Sequence, residues 1–225
     1  MFKSTRFVSA FLISAALASA TNSGLPGVSA SSRAAISPVL GASASYLVLA
    51  GAIVTNSGPT TVAGDVGISP GIGITPFVTG FPPGIVITPG AIHIQDIPAF
   101  DAQADNTATF GALDQTCDVT YPDAQNLTLL SPLGPGVYCS LGSFGLSGAL
   151  VLTGTGAWIF KSVSALNTSP GSAVTGGDPC NVWWRVGSSA DLDTTTAFIG
   201  NILALTSISL KTGATLNGRA MAQTG

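Results

Sequence analysis

There is no glutamate in this sequence of 225 residues, and His93 is its one histidine. Charged residues make up 8% of the chain, against roughly a quarter in an ordinary soluble domain. These absences exclude a good deal. Acid–base and nucleophilic catalysis need groups that titrate or attack, and His93 lies in an alternating segment that reads as a strand. Binding nucleic acid requires clustered Lys and Arg to neutralise phosphate. Beyond the first twenty residues the basic side chains are Arg33, Lys161, Arg185, Lys211 and Arg219, and they are scattered. The three cysteines, Cys117, Cys139 and Cys180, cannot assemble a zinc set beside a single histidine. In an oxidising compartment two of them are expected to bridge. Cys117 and Cys139 are nearest in sequence and are read as the pair, which leaves Cys180, just before an apolar strand, as a buried free thiol. No cofactor and no metal is expected, and the chain reads as a non-enzymatic monomer.

What is present begins with an export signal. Lys3 and Arg6 form a charged start, Phe7 to Leu17 an apolar stretch, and Ala18-Ser19-Ala20 a small-x-small cleavage site, so residues 1–20 read as a secretory signal peptide. A membrane anchor fits less well, because the apolar run is short and ends in small residues. Residues 21–38 are rich in Ser, Ala and Gly without periodicity and read as a flexible segment. From Val39 short apolar-alternating runs follow one another, each bounded by Gly or Pro, as in Ile53-Val54-Thr55-Asn56 and then Ser57-Gly58-Pro59. One segment departs from this. Residues 98–116 carry Ala99, Phe100, Ala104, Ala108, Ala112 and Leu113 at mostly helical spacing, with Asp96 as N-cap and Pro98 early in the helix. The segment predicts one helix lying along the strands. Trp183 and Trp184 are adjacent in a strand, which sends them to opposite sides.

The C-terminal end repeats itself. Ser188-Ser189-Ala190-Asp191-Leu192-Asp193 stands 18 residues before Thr206-Ser207-Ile208-Ser209-Leu210-Lys211, and Gly200 to Ala204 maps onto Gly218 to Ala222 at the same step. A period near 20 with internal alternation is the signature of a β-solenoid, in which each unit is one turn and turns stack about 4.7–4.9 Å apart. Ile208 and Leu210 are expected to point inward, and Ser207, Ser209 and Lys211 outward.

Several stretches resemble the large microbial ice-binding protein family of the DUF3494 type: residues 40–50, Asn56 to Thr61, Gly64 to Pro70, Thr79-Gly80-Phe81 and Pro135 to Tyr138. The closing stretches Phe198 to Ala204, Ser207 to Leu210 and Thr212 to Arg219 are the most specific part of the likeness. In order and spacing they span residues 39–225. The resemblance implies an irregular right-handed β-helix of triangular cross-section with a long α-helix packed alongside. It also implies secretion and adsorption to ice through one flat side, giving thermal hysteresis and inhibition of recrystallisation.

Ice is a lattice of water, so a surface that binds it must be flat, regular and rigid, and must order water without strongly solvating it. Strands offer about 4.7–4.9 Å between turns and about 6.6–6.8 Å between alternate residues, and small hydroxyl and methyl groups suit that task better than charged heads. The strands nominated for the ice face are residues 52–55, 90–94, 165–167, 189–191 and 207–209. The candidate ice-binding residues are Thr55, Ile92, Asn167, Ser189, Asp191, Ser207 and Ser209. Two N-glycosylation sequons, at Asn126 and Asn167, bear on this, since a glycan on Asn167 would block the face. The Asp191-Leu-Asp193 pair also suits calcium, but the outward positions one turn on are Ser209 and Lys211, which supply no third carboxylate. The alternative function is a secreted adhesive or carbohydrate-binding solenoid.

Overall fold

The computed structural model describes residues 34–70 and 78–225; the predicted signal peptide lies outside them, as does most of the segment at 21–38. Parallel strands dominate. One sheet runs in the order Ile92–Ile94, Asp65–Ile68, Tyr46–Ala50, Thr215–Ala222, Ala197–Ala204, Val182–Val186, Trp158–Ser162, Gly136–Ser140 and Val119–Tyr121. A second, five-stranded sheet stacks Ile208–Leu210, Ala190–Leu192, Leu166–Thr168, Phe144–Leu146 and Gln125–Asn126. The third side consists of Ala149–Leu152, Ala173–Gly176 and the first residues of the two eight-residue strands. Each turn of chain visits the three sides in a fixed sequence, which makes a three-sided parallel β-helix.

The chain does not climb this helix from one end to the other. Its first strand, Tyr46–Ala50, pairs with the last, Thr215–Ala222, through Val48↔Ala220 and Leu49↔Met221. Two early turns then lead outward to Ile92–Ile94 at one end of the large sheet. The one α-helix among the described residues, α1 (Ile97–Ala112), carries the chain back along the outside, and the remaining turns return to the middle. Its 16 residues cover about 24 Å. Nine strands of the sheet span about 38 Å at about 4.8 Å each, and residues 113–118 make up the difference.

The sequence of α1 explains its seat. Asp96 caps it by accepting from the Ala99 amide at 2.9 Å, and Pro98 occupies the first turn, where its missing N–H costs nothing. Ala99, Ala102, Gln103, Asn106, Thr109 and Phe110 form the buried stripe at helical spacing. The helix ends four residues before Thr116, where the chain turns back and Cys117 is bonded to Cys139 across a Cα separation of 5.9 Å. Small residues bring α1 close to the sheet, and Leu49, Val137, Ile159, Trp183, Leu203 and Met221 fill the layer between them. Gln103 fastens the joint by donating to the Ala222 and Gln223 carbonyls at 2.9 and 3.0 Å. Arg185 donates to the Phe110 carbonyl and lays its guanidinium over the Phe110 ring at 4.2 Å.

Inside the β-helix, stacked turns place like on like. Tyr138, Phe160 and Trp184 are register partners, and their rings stack at 5.4 and 4.2 Å between centroids. Trp184 therefore belongs to the interior and Trp183, its neighbour, to the layer under α1, which is the alternation the sequence predicts. Gly200 sits where the strand Ala197–Ala204 bends from the third side onto the first. Its φ is +106°, and a Cβ there would lie 2.7 Å from the Val182 carbonyl oxygen.

Two expectations are corrected. Cys180 is exposed, not buried; it lies in the short 3-10 turn Pro179–Asn181 that Asp178 caps ahead of the strand, so burial begins only at Val182. The described part of the segment expected to be flexible, from residue 34, is tied down. Ile36 exchanges hydrogen bonds with Gln115 at 3.0 and 2.6 Å, and the Ser37 hydroxyl meets both Asn181 and the Trp183 indole N–H. A buried indole donor needs an acceptor, and Ser37 supplies it.

Candidate functional surface

Of the three sides, the first is closed to large partners because α1 covers it. The third is interrupted: between Ala173–Gly176 and the strand that starts at Ala197 the ladder holds at one residue pair, Ala173↔Ala197. The second side keeps its register over five turns. Gln125, Phe144, Leu166, Ala190 and Ile208 are successive partners, and they face inward. The next residue on each strand faces out, so Asn126, Gly145, Asn167, Asp191 and Ser209 form one column. By strand alternation Ser143, Ala165, Ser189 and Ser207 form a second column beside it. Ser207 and Ser189 are joined hydroxyl to hydroxyl at 3.0 Å, and the Asn126 amide donates to Ser147 at 2.7 Å. Such lateral bonds hold short polar groups in the plane of the sheet.

Charge enters this surface at one place. Lys211 Nζ lies 3.0 Å from Asp191 Oδ2 and 3.3 Å from Asp193 Oδ2. Hydrogen bonding to the two carboxylates, Asp191 first, raises the Lys211 pKa, while the Thr194 amide and then Lys211 hold Asp193 below its ordinary value. No cluster of metal ligands occurs among the described residues.

The structure brings together five of the seven nominated residues: Asn167, Ser189, Asp191, Ser207 and Ser209 share this side. Thr55 and Ile92 lie outside that five-stranded ladder, although the strand of Thr55 follows Tyr46–Ala50 in the turn order as Ile208–Leu210 follows Ala197–Ala204. Thr55 pairs with Thr79 in a separate two-stranded sheet. Ile92 belongs to the end strand of the helix-covered sheet, paired with Val66. Its 41% exposure arises because no further strand of that sheet follows it. Asn126, Ser143 and Gly145 were absent from the nomination although they continue both columns. Their signal was present as alternation, in Ser143-Phe144-Gly145-Leu146, but the repeat is unequal there. Phe144 meets Leu166 22 residues on, Leu166 meets Ala190 24 on, and Ala190 meets Ile208 18 on.

His93, the one imidazole, is committed to structure. Its Nδ1 is 2.7 Å from Asp96 Oδ2, the carboxylate that caps α1, and its ring leans on Tyr46. Burial first, then the carboxylates of Asp96 and Asp65, push the Tyr46 phenol up to about 12. The phenol therefore stays protonated near neutrality.

A three-sided parallel β-helix with one helix-covered side and one regular, sparsely charged side places the protein in the class of β-solenoids. The family model described as ice-binding-like matches residues 48–225, and this chain belongs to that family. It is 41% identical over 203 residues to an ice-binding protein of Nostoc sp. (strain HG1), covering 86% of this chain and 72% of that one. It is 30% identical to an ice-binding protein of Flavobacterium frigoris (strain PS1), over 82% and 71% of the two chains. Among solved structures it is similar to an ice-binding protein from an Antarctic biological consortium. That match has a TM-score of 0.76 and 34% identity over 86% of this chain and 88% of the other. The ice-binding protein of the Antarctic ascomycete Antarctomyces psychrotrophicus matches with a TM-score of 0.72 and 33% identity, over 84% and 93%.

Proposed function

We propose that this protein is a secreted, non-enzymatic ice-binding protein that adsorbs to ice through its five-stranded side, halts growth between adsorbed molecules and inhibits recrystallisation. The observation that carries the assignment of the face is its register: five successive turns present short Asn, Gly, Ser and Asp side chains in aligned columns. The spacings are about 4.8 Å along the stack and about 6.8 Å along each strand, with every inward partner apolar or amide. A rigid two-dimensional array of that kind can hold water in a pattern that merges with a lattice, because the array does not reorganise when ice arrives. Export is supported by the leader sequence, and no described helix is long and apolar enough to cross a membrane.

A sugar-binding surface would call for an exposed aromatic platform. All three tryptophans are 1% exposed, which favours ice. The test is direct: a single ice crystal is held in a dilute solution of the mature protein and cooled slowly. A faceted crystal that does not grow over a temperature gap is the expected result. A round disc growing freely would refute ice adsorption.

A further inference from the structure

The feature that the ice reading leaves unexplained is the ion cluster on the candidate face. A carboxylate in the central column is the wrong group for a surface that must not pin water, yet Asp191 stands there, between Asn167 and Ser209 in register. Its surroundings give it little help. One oxygen, Oδ1, is enclosed and has no hydrogen-bond partner, and the other meets Lys211 Nζ at 3.0 Å. Asp193, two residues on, meets the same ammonium at 3.3 Å and receives the Thr194 amide at 2.6 Å. Lys211 and Asp193 come directly after the paired strands Ile208–Leu210 and Ala190–Leu192, so Asp193 is the direct neighbour of Lys211 in register and Asp191 its diagonal one. No other charged side chain belongs to the strands of this sheet: the remaining residues at Gln125–Asn126, Phe144–Leu146, Leu166–Thr168, Ala190–Leu192 and Ile208–Leu210 are neutral.

Resting on the assignment of the ice face, we infer that Lys211 is a positioning residue of that face, drawing both carboxylates sideways along the sheet so that the charged rung stays level with its neighbours. Three charges at separate corners would each orient water radially. Bound to one another within 3.3 Å, they turn their strongest fields into the cluster. Lys211 acts through the aspartates and need not touch ice itself.

The test compares Lys211→Met, which keeps the aliphatic stem and removes the charge, with the triple variant Lys211→Met/Asp191→Asn/Asp193→Asn. Both are measured for thermal hysteresis at pH 7. Lys211→Met is expected to lose activity about fivefold at pH 7, the scale of one unpaired charge in water. The triple variant should recover at pH 7. A purely structural lysine would change the melting temperature without that rescue. If Lys211→Met keeps full activity, or the triple variant is as weak as it, the inference fails. Asn167→Tyr separates this from failure of the face assignment: if that variant is fully active the face itself is wrong, and if it is inactive while Lys211→Met is not, only the role of Lys211 falls.

Discussion

Asn167 occupies the middle rung of the five-stranded side, and a tyrosine there would block the face at its centre. From Asn126 to Ser209 the column runs through four rung spacings, about 19 Å, and three outward positions along a strand add about 14 Å of width. The footprint is about 260 Å². A tyrosine ring at Asn167 stands above the short neighbours and holds a flat lattice away from both halves at once, so less than about 130 Å² can touch ice on either side. Halving the matched footprint removes about half of the adsorption free energy, so the loss should be about tenfold or more. Asn167 is exposed and makes no side-chain hydrogen bond within the fold among those described, so the fold should tolerate the change. The assay is thermal hysteresis of a single crystal at equal molar protein, with the melting temperature followed by circular dichroism. Loss of activity at an unchanged melting temperature is the expected outcome. Ser207→Tyr, on the outermost rung, should cost less than Asn167→Tyr. Full activity of the Asn167 variant would refute the assignment of the face, and equal losses at both positions would refute the footprint geometry.

Trp184→Ala should cost about 3–5 kcal/mol in urea unfolding, because it empties the middle of the Phe160–Trp184–Phe198 stack; a loss below about 1 kcal/mol would mean that the interior repacks. Replacing Cys117 and Cys139 by alanine should cost about 3 kcal/mol for a loop closed over 22 residues, with thermal hysteresis in the cold unchanged because the bridge lies under α1 and not on the ice face. Hydrogen bonding to Lys161, with its charge, holds the Asp114 carboxylate below its ordinary value. The folded-state pKa being depressed, this pair stabilises fully above the unfolded value of 3.8 and the contribution disappears as pH falls through the folded value. Asp114→Asn should therefore melt below the native protein at pH 7 and converge with it in strong acid. A gap that widens toward low pH would reverse the sign and refute the assignment.

Much of the fold was legible because stacked turns repeat. Between residues 188 and 222 two turns have equal length, and the step of 18 residues read from the sequence is the register of the ladder: Ala190 lies on Ile208, and Gly200 on Gly218. The helix announced itself through Asp96, Pro98 and a small-residue stripe. Earlier turns were harder to align, since corner insertions changed their length without changing the strands. That is why Asn126, Ser143 and Gly145 went unnominated although their alternation matches that of Asn167 and Asp191. Ile92 alternates locally as the others do, with Ala91 before it, and local pattern could not assign it to a different side.

By itself the sequence determined the class of surface this protein can have. With no glutamate, one histidine and 8% charge it offers few titratable or basic groups, and its short alternating runs bury their apolar faces by stacking. Which side stays open was decided by tertiary structure. The first and last strands meet in the middle of the large sheet, and α1 then closes that side while leaving the five-stranded one open. The physical reason is range. Alternation and turn residues act over a few positions along the chain, whereas the meeting of Val48 with Ala220 and the reach of Gln103 to Ala222 are made across the fold, between groups that no local period connects.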